Sequence, residues 1–140
     1  MAKRFTDSEK WLRPWFRALP AGYKLLWLYI LDHCDMAGVW YKDIDLATTL
    51  IGCKFDEPTA MKYLGKQIEP LNCGSRWLIK DFIGFQYREL DPRKSKAHFG
   101  VLRTLEGHGL TYNKDTLSIG YGKGMHTLQA KAKATAKAKA

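Results

Sequence analysis

The sequence predicts a mostly α-helical protein with a small β-hairpin, and three observations lead to this fold class. Eight of the nine residues at 23–31 are apolar or aromatic, which is typical of a helix buried on most of its sides. Two shorter helical patterns follow, joined by a tight turn that contains Gly52. Two β-prone runs then flank Gly74, which can adopt the positive φ that hairpin turns need.

Composition and charge limit the class of protein. A chain of 140 residues is expected to form one domain plus tails, and its 46% hydrophobic content is sufficient for a packed core. The formal charge is +9, and +5 of it belongs to the body once the four lysines of the last ten residues are set aside. A basic body with a basic tail favours an anionic partner, most commonly nucleic acid, with ordinary solubility as the alternative explanation.

The cysteines and the N-terminus indicate the compartment. Cys34, Cys53 and Cys73 are odd in number and widely spaced, which favours reduced thiols over a disulfide framework. No apolar stretch follows the first positive charges, so no signal peptide is expected. The apolar run at 23–31 is shorter than the roughly 20 residues that span a bilayer. We therefore expect a cytoplasmic protein that does not enter membranes.

The N-terminal segment is predicted to pack on a central helix. Thr6 and Glu9 match a capping box that would open a short helix. Trp11, Trp15 and Phe16 follow, and because large aromatic side chains are unfavourable in water, we expect them to contact the central helix. Stacking of a nucleotide on Trp11 or Trp15 is the alternative.

The central helix is predicted at 23–34, after Pro20, a residue that is tolerated where helices start. A turn through Asp35 and Gly38 ends it, and a short strand follows at 39–41. Because this helix offers apolar side chains in most directions, the other elements are expected to pack around it.

Two short helices follow the strand. The first is predicted at 46–51, capped by Asp43 or Asp45, and the second runs from a cap at Asp56 to residue 64. A glycine, at positions 52 and 65, is expected to end each helix. The apolar residues of the first helix share one face, namely Leu46, Ala47, Leu50 and Ile51.

The order helix, strand, helix, helix, strand, strand is that of a winged helix domain. In this arrangement 23–34 is the first helix, the two short helices form a helix-turn-helix, and the hairpin of 68–71 and 76–80 is the wing. The segment 81–87 is expected to pack back on the core. The predicted fold is therefore a winged helix-turn-helix with extra N- and C-terminal helices.

A last helix is predicted from Pro92 to Gly107, and a flexible tail after it. The apolar stripe of this helix is Ala97, Val101, Leu102 and Leu105, and its other side is basic through Arg93, Lys94, Lys96, His98 and Arg103. The winged helix domain is expected to occupy residues 1–110. Residues 111–140, which end in AKAKATAKAKA, are predicted to be a low-complexity, Lys/Ala-rich tail without a folded element.

Several dispersed motifs within residues 3–110 resemble one known family. The runs KRFTDSEKW with PWFR, YKLLWLYILDHCDMAGVW, FIGFQY and KAHFGVLRTLEGHGL resemble the N-terminal winged helix domain of bacteriophage replisome-organiser proteins, related in layout to DnaD-like primosomal proteins. The resemblance implies a winged helix fold, a role in phage DNA replication in the bacterial cytoplasm, and a low-complexity linker after the domain. Many members continue into a second domain that recruits replication machinery, and residues 111–140 stand where it would begin. The resemblance implies no catalytic residues.

For DNA binding, the second helix of the pair would enter the major groove and the wing would follow the backbone. The residues predicted to contact DNA are Thr59, Lys62, Tyr63 and Lys66 on that helix, Arg76 and Lys80 on the wing, and Arg93, Lys94 and Lys96 on the last helix. A merely solvated helix face is the alternative, and Asp56 and Glu57 would repel phosphate at the start of the helix. The expected partner is double-stranded DNA, with single-stranded DNA as the alternative.

Protein binding is the second hypothesis. Winged helix domains also hold proteins together, and Trp40, Tyr41, Phe55 and Tyr63 would form an apolar surface for self-association or for host or phage replication proteins. A phage transcriptional regulator is a further alternative.

An enzyme is not expected, since the sequence has no P-loop, dinucleotide or nucleophile motif. The acidic pairs Asp43 with Asp45 and Asp32 with Asp35 are more typical of helix caps than of metal sites. The cysteines and histidines, His126 among them, lack the paired spacing of a zinc site. No cofactor or metal is therefore expected.

Overall fold

The computed structural model describes residues 3–113 and 118–121. This part of the chain is mostly helical, with a three-stranded and a two-stranded antiparallel sheet. The helices are α1 (Pro14–Arg17), α2 (Ala21–His33), α3 (Ile44–Ile51), α4 (Glu57–Leu64), α5 (Phe82–Tyr87) and α6 (Lys96–Gly107). The strands are β1 (Val39–Tyr41), β2 (Ile68–Leu71), β3 (Arg76–Ile79), β4 (Leu110–Asn113) and β5 (Ser118–Tyr121). Short 3₁₀ turns occur at Ser8–Leu12, Gly65–Gln67 and Asn72–Gly74. The predicted helix-rich fold with a small antiparallel sheet is confirmed at this level.

Helix α2 is the centre of the fold, as its apolar run predicts. Leu26, Trp27 and Ile30 are buried, while Leu25 is about half exposed, so the helix is covered on most of its sides. Its observed bounds are close to the predicted 23–34. Among the described residues, no helix combines the length and the apolar character needed to cross a membrane.

The N-terminal segment is tied to the ends of α2 and α5. The Arg4 guanidinium donates to the carbonyl oxygens of Leu31 at 2.8 Å and Cys34 at 2.5 Å, which satisfies acceptors left unpaired at a helix end. The Gln86 side chain accepts from the amide of Phe5 at 3.0 Å and donates to its carbonyl at 2.7 Å. These bonds hold the segment, from here on the strap (residues 3–13), against the core.

Asp7, and not Thr6, caps the first turn of the strap. Asp7 Oδ1 accepts from the amide of Glu9 at 3.0 Å, and its other oxygen accepts from Arg13 at 2.8 Å. The predicted capping box is wrong because the turn begins at Ser8, which places Asp7 at the capping position.

The aromatic residues after the strap's turn do pack on the core. Phe16 is fully buried, and Trp15 contacts Trp27 of α2 edge-to-face with ring centroids 5.2 Å apart. Trp11 lies against Phe16 at 5.0 Å but stays about half exposed. The predicted contact with the central helix is thus confirmed for Trp15.

Helices α3 and α4 begin at predicted caps. The carboxylates of Asp43 and Asp56 each accept a backbone N–H of their helix's first turn at 3.0 Å. Gly52 ends α3 with φ +87°, the left-handed conformation that glycine adopts without steric cost. Gly65 instead keeps φ −60°, so the chain continues from α4 into a 3₁₀ turn.

The core face predicted for α3 is only half right. Ala47 is buried and Ile51 packs partly against the core, but Leu46 is 48% and Leu50 is 60% exposed. The pair Leu46 and Leu50 lies about 100° around the helix axis from the pair Ala47 and Ile51. The contact with the core is narrower than the predicted face, so it covers only the Ala47–Ile51 pair.

The main sheet has the strand order β1-β3-β2, with β3 antiparallel to both neighbours. Trp40 pairs with Trp77 across β1 and β3, and their ring centroids are 5.3 Å apart. The β2–β3 turn runs through Asn72, Cys73 and Gly74, all with positive φ, and the predicted hairpin is confirmed.

Helix α6 starts at Lys96, whereas Pro92 was expected to open it. Ser95 Oγ accepts from the amide of His98 at 3.2 Å and caps the helix. Pro92 lies in a preceding turn that contains Lys94. The N-terminus of α6 is therefore fixed by the Ser95 side chain. The restricted φ of Pro92 stabilises the turn before the helix.

The residues that α5 and α6 bury agree largely with the predicted pattern. Phe82 and Ile83 of α5 are buried, as are Val101 and Leu105 of α6. Ala97 is exposed, because the helix starts later than predicted and this residue lies in its first turn.

The chain after α6 forms a hairpin where no folded element was expected. Strands β4 and β5 pair with Leu110 opposite Tyr121 and Asn113 opposite Ser118. The residues responsible, LTYN and SIGY, are β-prone, but they are embedded in a Gly- and Thr-rich context that obscured this signal. The Lys/Ala-rich remainder of the predicted tail lies outside the described residues.

Candidate nucleic-acid interface

Helix α4 and the 3₁₀ turn that follows it carry four of the predicted DNA contacts, and the polar groups of Thr59 already have a partner. Its hydroxyl donates to Asp56 at 2.7 Å, and its amide donates to the same carboxylate at 3.0 Å. These bonds, the hydroxyl bond first, lower the pKa of Asp56 below its ordinary value. Thr59 therefore serves the cap of α4.

Tyr63 holds α4 on the core, and Lys62 and Lys66 face solvent. The Tyr63 ring packs against Tyr23 of α2 with centroids 5.1 Å apart and is partly buried. Lys62 and Lys66 are exposed, and the Lys62 ammonium lies 5.5 Å from the centroid of the Tyr63 ring. Of the four predicted residues on α4 and the turn after it, the two lysines offer an accessible positive charge.

The acidic residues at the start of α4 have partners within the protein. Lys42 Nζ lies 2.6 Å from Glu57 Oε1, so this carboxylate is neutralised by a neighbouring cation. The Asp56 carboxylate caps the helix. Lys42 therefore offsets the charge of Glu57, whereas Asp56 keeps the negative charge that the sequence predicts will repel phosphate.

Arg76 is bound inside the fold and not free on the wing. Its Nη1 lies 3.1 Å from His108 Nδ1, and its guanidinium stacks 4.9 Å from the centroid of the Tyr41 ring. Because a guanidinium only donates hydrogen bonds, His108 Nδ1 accepts, and its Nε2–H donates to Asp35 at 2.7 Å. The chain Arg76–His108–Asp35, here called the buried relay, links β3 to the turn after α2 and to the end of α6.

Lys80 is exposed next to the end of α4. Its amide donates to the carbonyl of Gln67 at 3.0 Å, which brings the residue after β3 beside the residue after Lys66. The hairpin tip itself, NCGS, carries no charge. The backbone of Lys80 therefore lies close to that of Lys66, at the base of the β2–β3 hairpin.

The third group of predicted cations lies at the entry to α6. Arg93, Lys94 and Lys96 are exposed, and Arg93 Nε lies 3.3 Å from Asp91 Oδ1. The Arg93 side chain is 82% exposed although that of its partner Asp91 is only 12% exposed, so the guanidinium is open to a phosphate from solvent.

The apolar surface proposed for protein binding is not present as predicted. Trp40 is buried, and Phe55 and Tyr63 are partly buried against Tyr23. Tyr41 is 58% exposed but supports Arg76. The exposed apolar side chains nearest in sequence are instead Leu46 and Leu50 of α3.

One member of each acidic pair, and the buried Cys34, have structural explanations. Asp43 caps α3, and Asp35 accepts from two backbone amides as well as from His108. Burial raises the pKa of the Cys34 thiol to about 12. Within residues 3–113 and 118–121, no three metal-binding side chains converge, and His126 lies outside this part of the chain.

Sequence reasoning missed the strap and the buried relay. Both depend on contacts between residues far apart in the chain, such as Arg4 with the end of α2 and His108 with Asp35. The density of aromatic and charged residues in the first 16 positions was the only local signal for the strap.

Comparisons with protein-family models, curated proteins and solved structures gave no match for this chain.

Proposed function

We propose that this protein binds double-stranded DNA through α4 and the base of the β2–β3 hairpin, without catalysis. The element order from α2 to β3 and the strand order β1-β3-β2 support a winged helix arrangement, in which α4 is the recognition helix. One observation carries the proposal. Lys62 on α4 and Lys66 in the turn after it are exposed, and Lys42 neutralises Glu57 in the first turn of α4.

In this proposal the lysines of α4 lie along the DNA and Lys80 contacts a phosphate of the same strand. The adjacent lysines at the base of the wing form one positive surface with α4. Arg76 orders the wing through the buried relay and does not contact DNA. Arg93, Lys94 and Lys96 supply further phosphate contacts, which position the protein without reading sequence.

The biological role proposed is that of a replisome organiser in phage DNA replication, with host or phage replication proteins as further partners. The resemblance of the quoted motifs to phage replication proteins supports this role. A transcriptional regulator would use the same DNA surface. DNA footprints placed over a replication origin or over a promoter distinguish the two roles.

Titration of a fluorescent duplex with the full chain tests DNA binding. The variant with Lys62→Gln and Lys66→Gln is compared with a control, Lys3→Gln with Arg17→Gln, which also removes two exposed positive charges. We expect weaker binding from the α4 variant than from the control. Equal weakening would show that net charge, and not α4, determines affinity.

A protein-interaction module is the second candidate, favoured by the exposed leucines of α3. Leu46 and Leu50 are four residues apart and share a face, as an anchor for a partner helix requires. Light scattering of the chain without DNA tests self-association. A concentration-dependent dimer that Leu50→Lys abolishes would support this candidate, and a monomer at high concentration would reject self-association.

A further inference from the structure

A cleft of about 220 Å³ lies beneath the strap. Its lining is mainly apolar in surface and includes five aromatic residues, Phe5, Trp15, Trp27, Phe82 and Phe85. Pockets for drug-sized ligands are usually larger, about 300–1,000 Å³. The cleft therefore fits a single flat ring system better than a larger molecule.

The charges that line the cleft cancel. Three cationic residues, Arg4, Lys10 and Arg13, are matched by three acidic ones, Asp7, Asp32 and Asp81. A phosphate would meet three carboxylates, and an ammonium group would meet three cations. A neutral ligand is the class that this lining repels least.

Two of the charged groups at the cleft have partners that leave them little freedom. Arg4 is held by carbonyl oxygens at the end of α2, and Arg13 pairs with Asp7 at 2.8 Å. These groups shape the wall and hold the strap. Arg4 uses both of its terminal nitrogens in these bonds, whereas Arg13 uses one and keeps further donors.

The other charged groups retain hydrogen-bonding capacity. Lys10 is only 8% exposed, and its ammonium donates one hydrogen bond, to the carbonyl of Asp7 at 2.9 Å. An ammonium has three donors, so two are left. In the described part of the chain, the carboxylates of Asp32 and Asp81 make no hydrogen bond or ion pair, and both are exposed at the cleft. The cleft thus offers donors and acceptors beside aromatic walls.

We propose that the cleft binds one unpaired nucleobase of a DNA strand. A base is flat, neutral and carries donors and acceptors on its edge, and unpaired bases are commonly bound by aromatic stacking with edge hydrogen bonds. Lys10 would donate to a ring carbonyl or nitrogen, and Asp32 or Asp81 would accept from a ring N–H or amino group. Guanine presents a carbonyl acceptor and an amino donor on the same base and is a suitable probe.

The position of the cleft relative to the proposed DNA surface supports this ligand. Gln67, Ile79 and Asp81 line it, and the exposed Lys66 and Lys80 are their neighbours in sequence. We propose that the phosphates on either side of a bound base pass along these two lysines. The inference shares its nucleic-acid ligand with the proposed function but concerns a separate site.

The test is an NMR titration of the full chain with 2′-deoxyguanosine, which carries no phosphate. The indole N–H signals of Trp15 and Trp27 are expected to shift, while those of Trp40 and Trp77, which do not line the cleft, stay in place. Asp81→Asn and Asp32→Asn remove an exposed carboxylate that makes no bond within the fold. We expect one of them to weaken binding about tenfold, the order of a charge-assisted hydrogen bond. Glu106→Gln, an exposed acid of α6 outside the cleft, is the matched control.

Three outcomes would overturn the inference. The first is that no Trp15 or Trp27 signal shifts up to the solubility limit of the nucleoside. The second is that both aspartate variants bind like the control. The third is that N-acetyl-lysine amide shifts these signals and deoxyguanosine does not, which would identify a site for a basic peptide. If the chain binds a duplex in a salt-dependent way but deoxyguanosine shifts neither tryptophan signal, only the cleft site is rejected. If deoxyguanosine shifts these signals but the chain binds no duplex, only the proposed α4 surface is rejected.

Discussion

Replacing Gly38 by alanine should destabilise the fold much more than the same change at Gly52. Both glycines have left-handed φ values, +84° and +87°. Alanine costs about 1 kcal/mol or more in this conformation because its Cβ approaches a carbonyl oxygen. The backbone contribution is therefore similar at the two positions, and any difference in the free energy of unfolding reports the surroundings.

The surroundings of the two glycines differ sharply. A Cβ at Gly38 would lie 2.6 Å from Phe82 Cβ and 2.7 Å from two further atoms of that side chain. Phe82 is 3% exposed, so it cannot move away without disturbing the core. A Cβ at Gly52 would meet nothing within 4 Å. Overpacking typically costs about 1–3 kcal/mol, so Gly38→Ala should lose about 2–5 kcal/mol in total and Gly52→Ala about 1–2.

Urea unfolding followed by tryptophan fluorescence measures both variants. Domains of this size have a free energy of unfolding of about 5–15 kcal/mol, so the loss expected for the Gly38 variant is a large share of it. The urea concentration at the midpoint of unfolding should therefore be much lower for Gly38→Ala than for Gly52→Ala. Equal midpoints for the two variants would refute the packing of α5 against the turn after α2.

Two further predictions concern the interior. At a mildly alkaline pH, iodoacetamide should modify the exposed Cys73 quickly and Cys34 only on unfolding, because Cys34 is buried and its pKa is raised to about 12. Mass spectrometry of timed samples measures both rates of modification. Equal rates for the two cysteines would contradict the burial of Cys34. His108→Ala should lower the free energy of unfolding by about 2–3 kcal/mol, because it leaves Asp35 and Arg76 without their shared partner. A double-mutant cycle with Asp35→Asn checks this, and additive losses would show that the buried relay is not coupled.

Local signals in the sequence predicted much of the fold. The caps Asp43 and Asp56, the strand at 39–41 and the Gly74 turn each depend on residues close in the chain, and the structure has them where predicted. Thr6 failed as a cap because two adjacent residues can both serve, and the choice depends on where the turn begins.

Features that depend on distant contacts could not be predicted. Periodicity placed Leu46 and Leu50 on an apolar stripe of α3, but it does not tell how wide a surface α2 covers. Arg76 was expected on the DNA surface because of its charge and position. Only the three-dimensional structure shows that His108, 32 residues away, already binds it.

The salt dependence of duplex binding tests the central proposal most directly. Each phosphate contact contributes about −0.9 to the slope of log affinity against log salt concentration. The full chain should bind with a steep negative slope, and Lys62→Gln with Lys66→Gln should make that slope shallower by about two, whereas glutamines at Lys3 and Arg17 should leave it unchanged. Absence of binding at low salt, or equal slopes for both double variants, would contradict a DNA surface on α4.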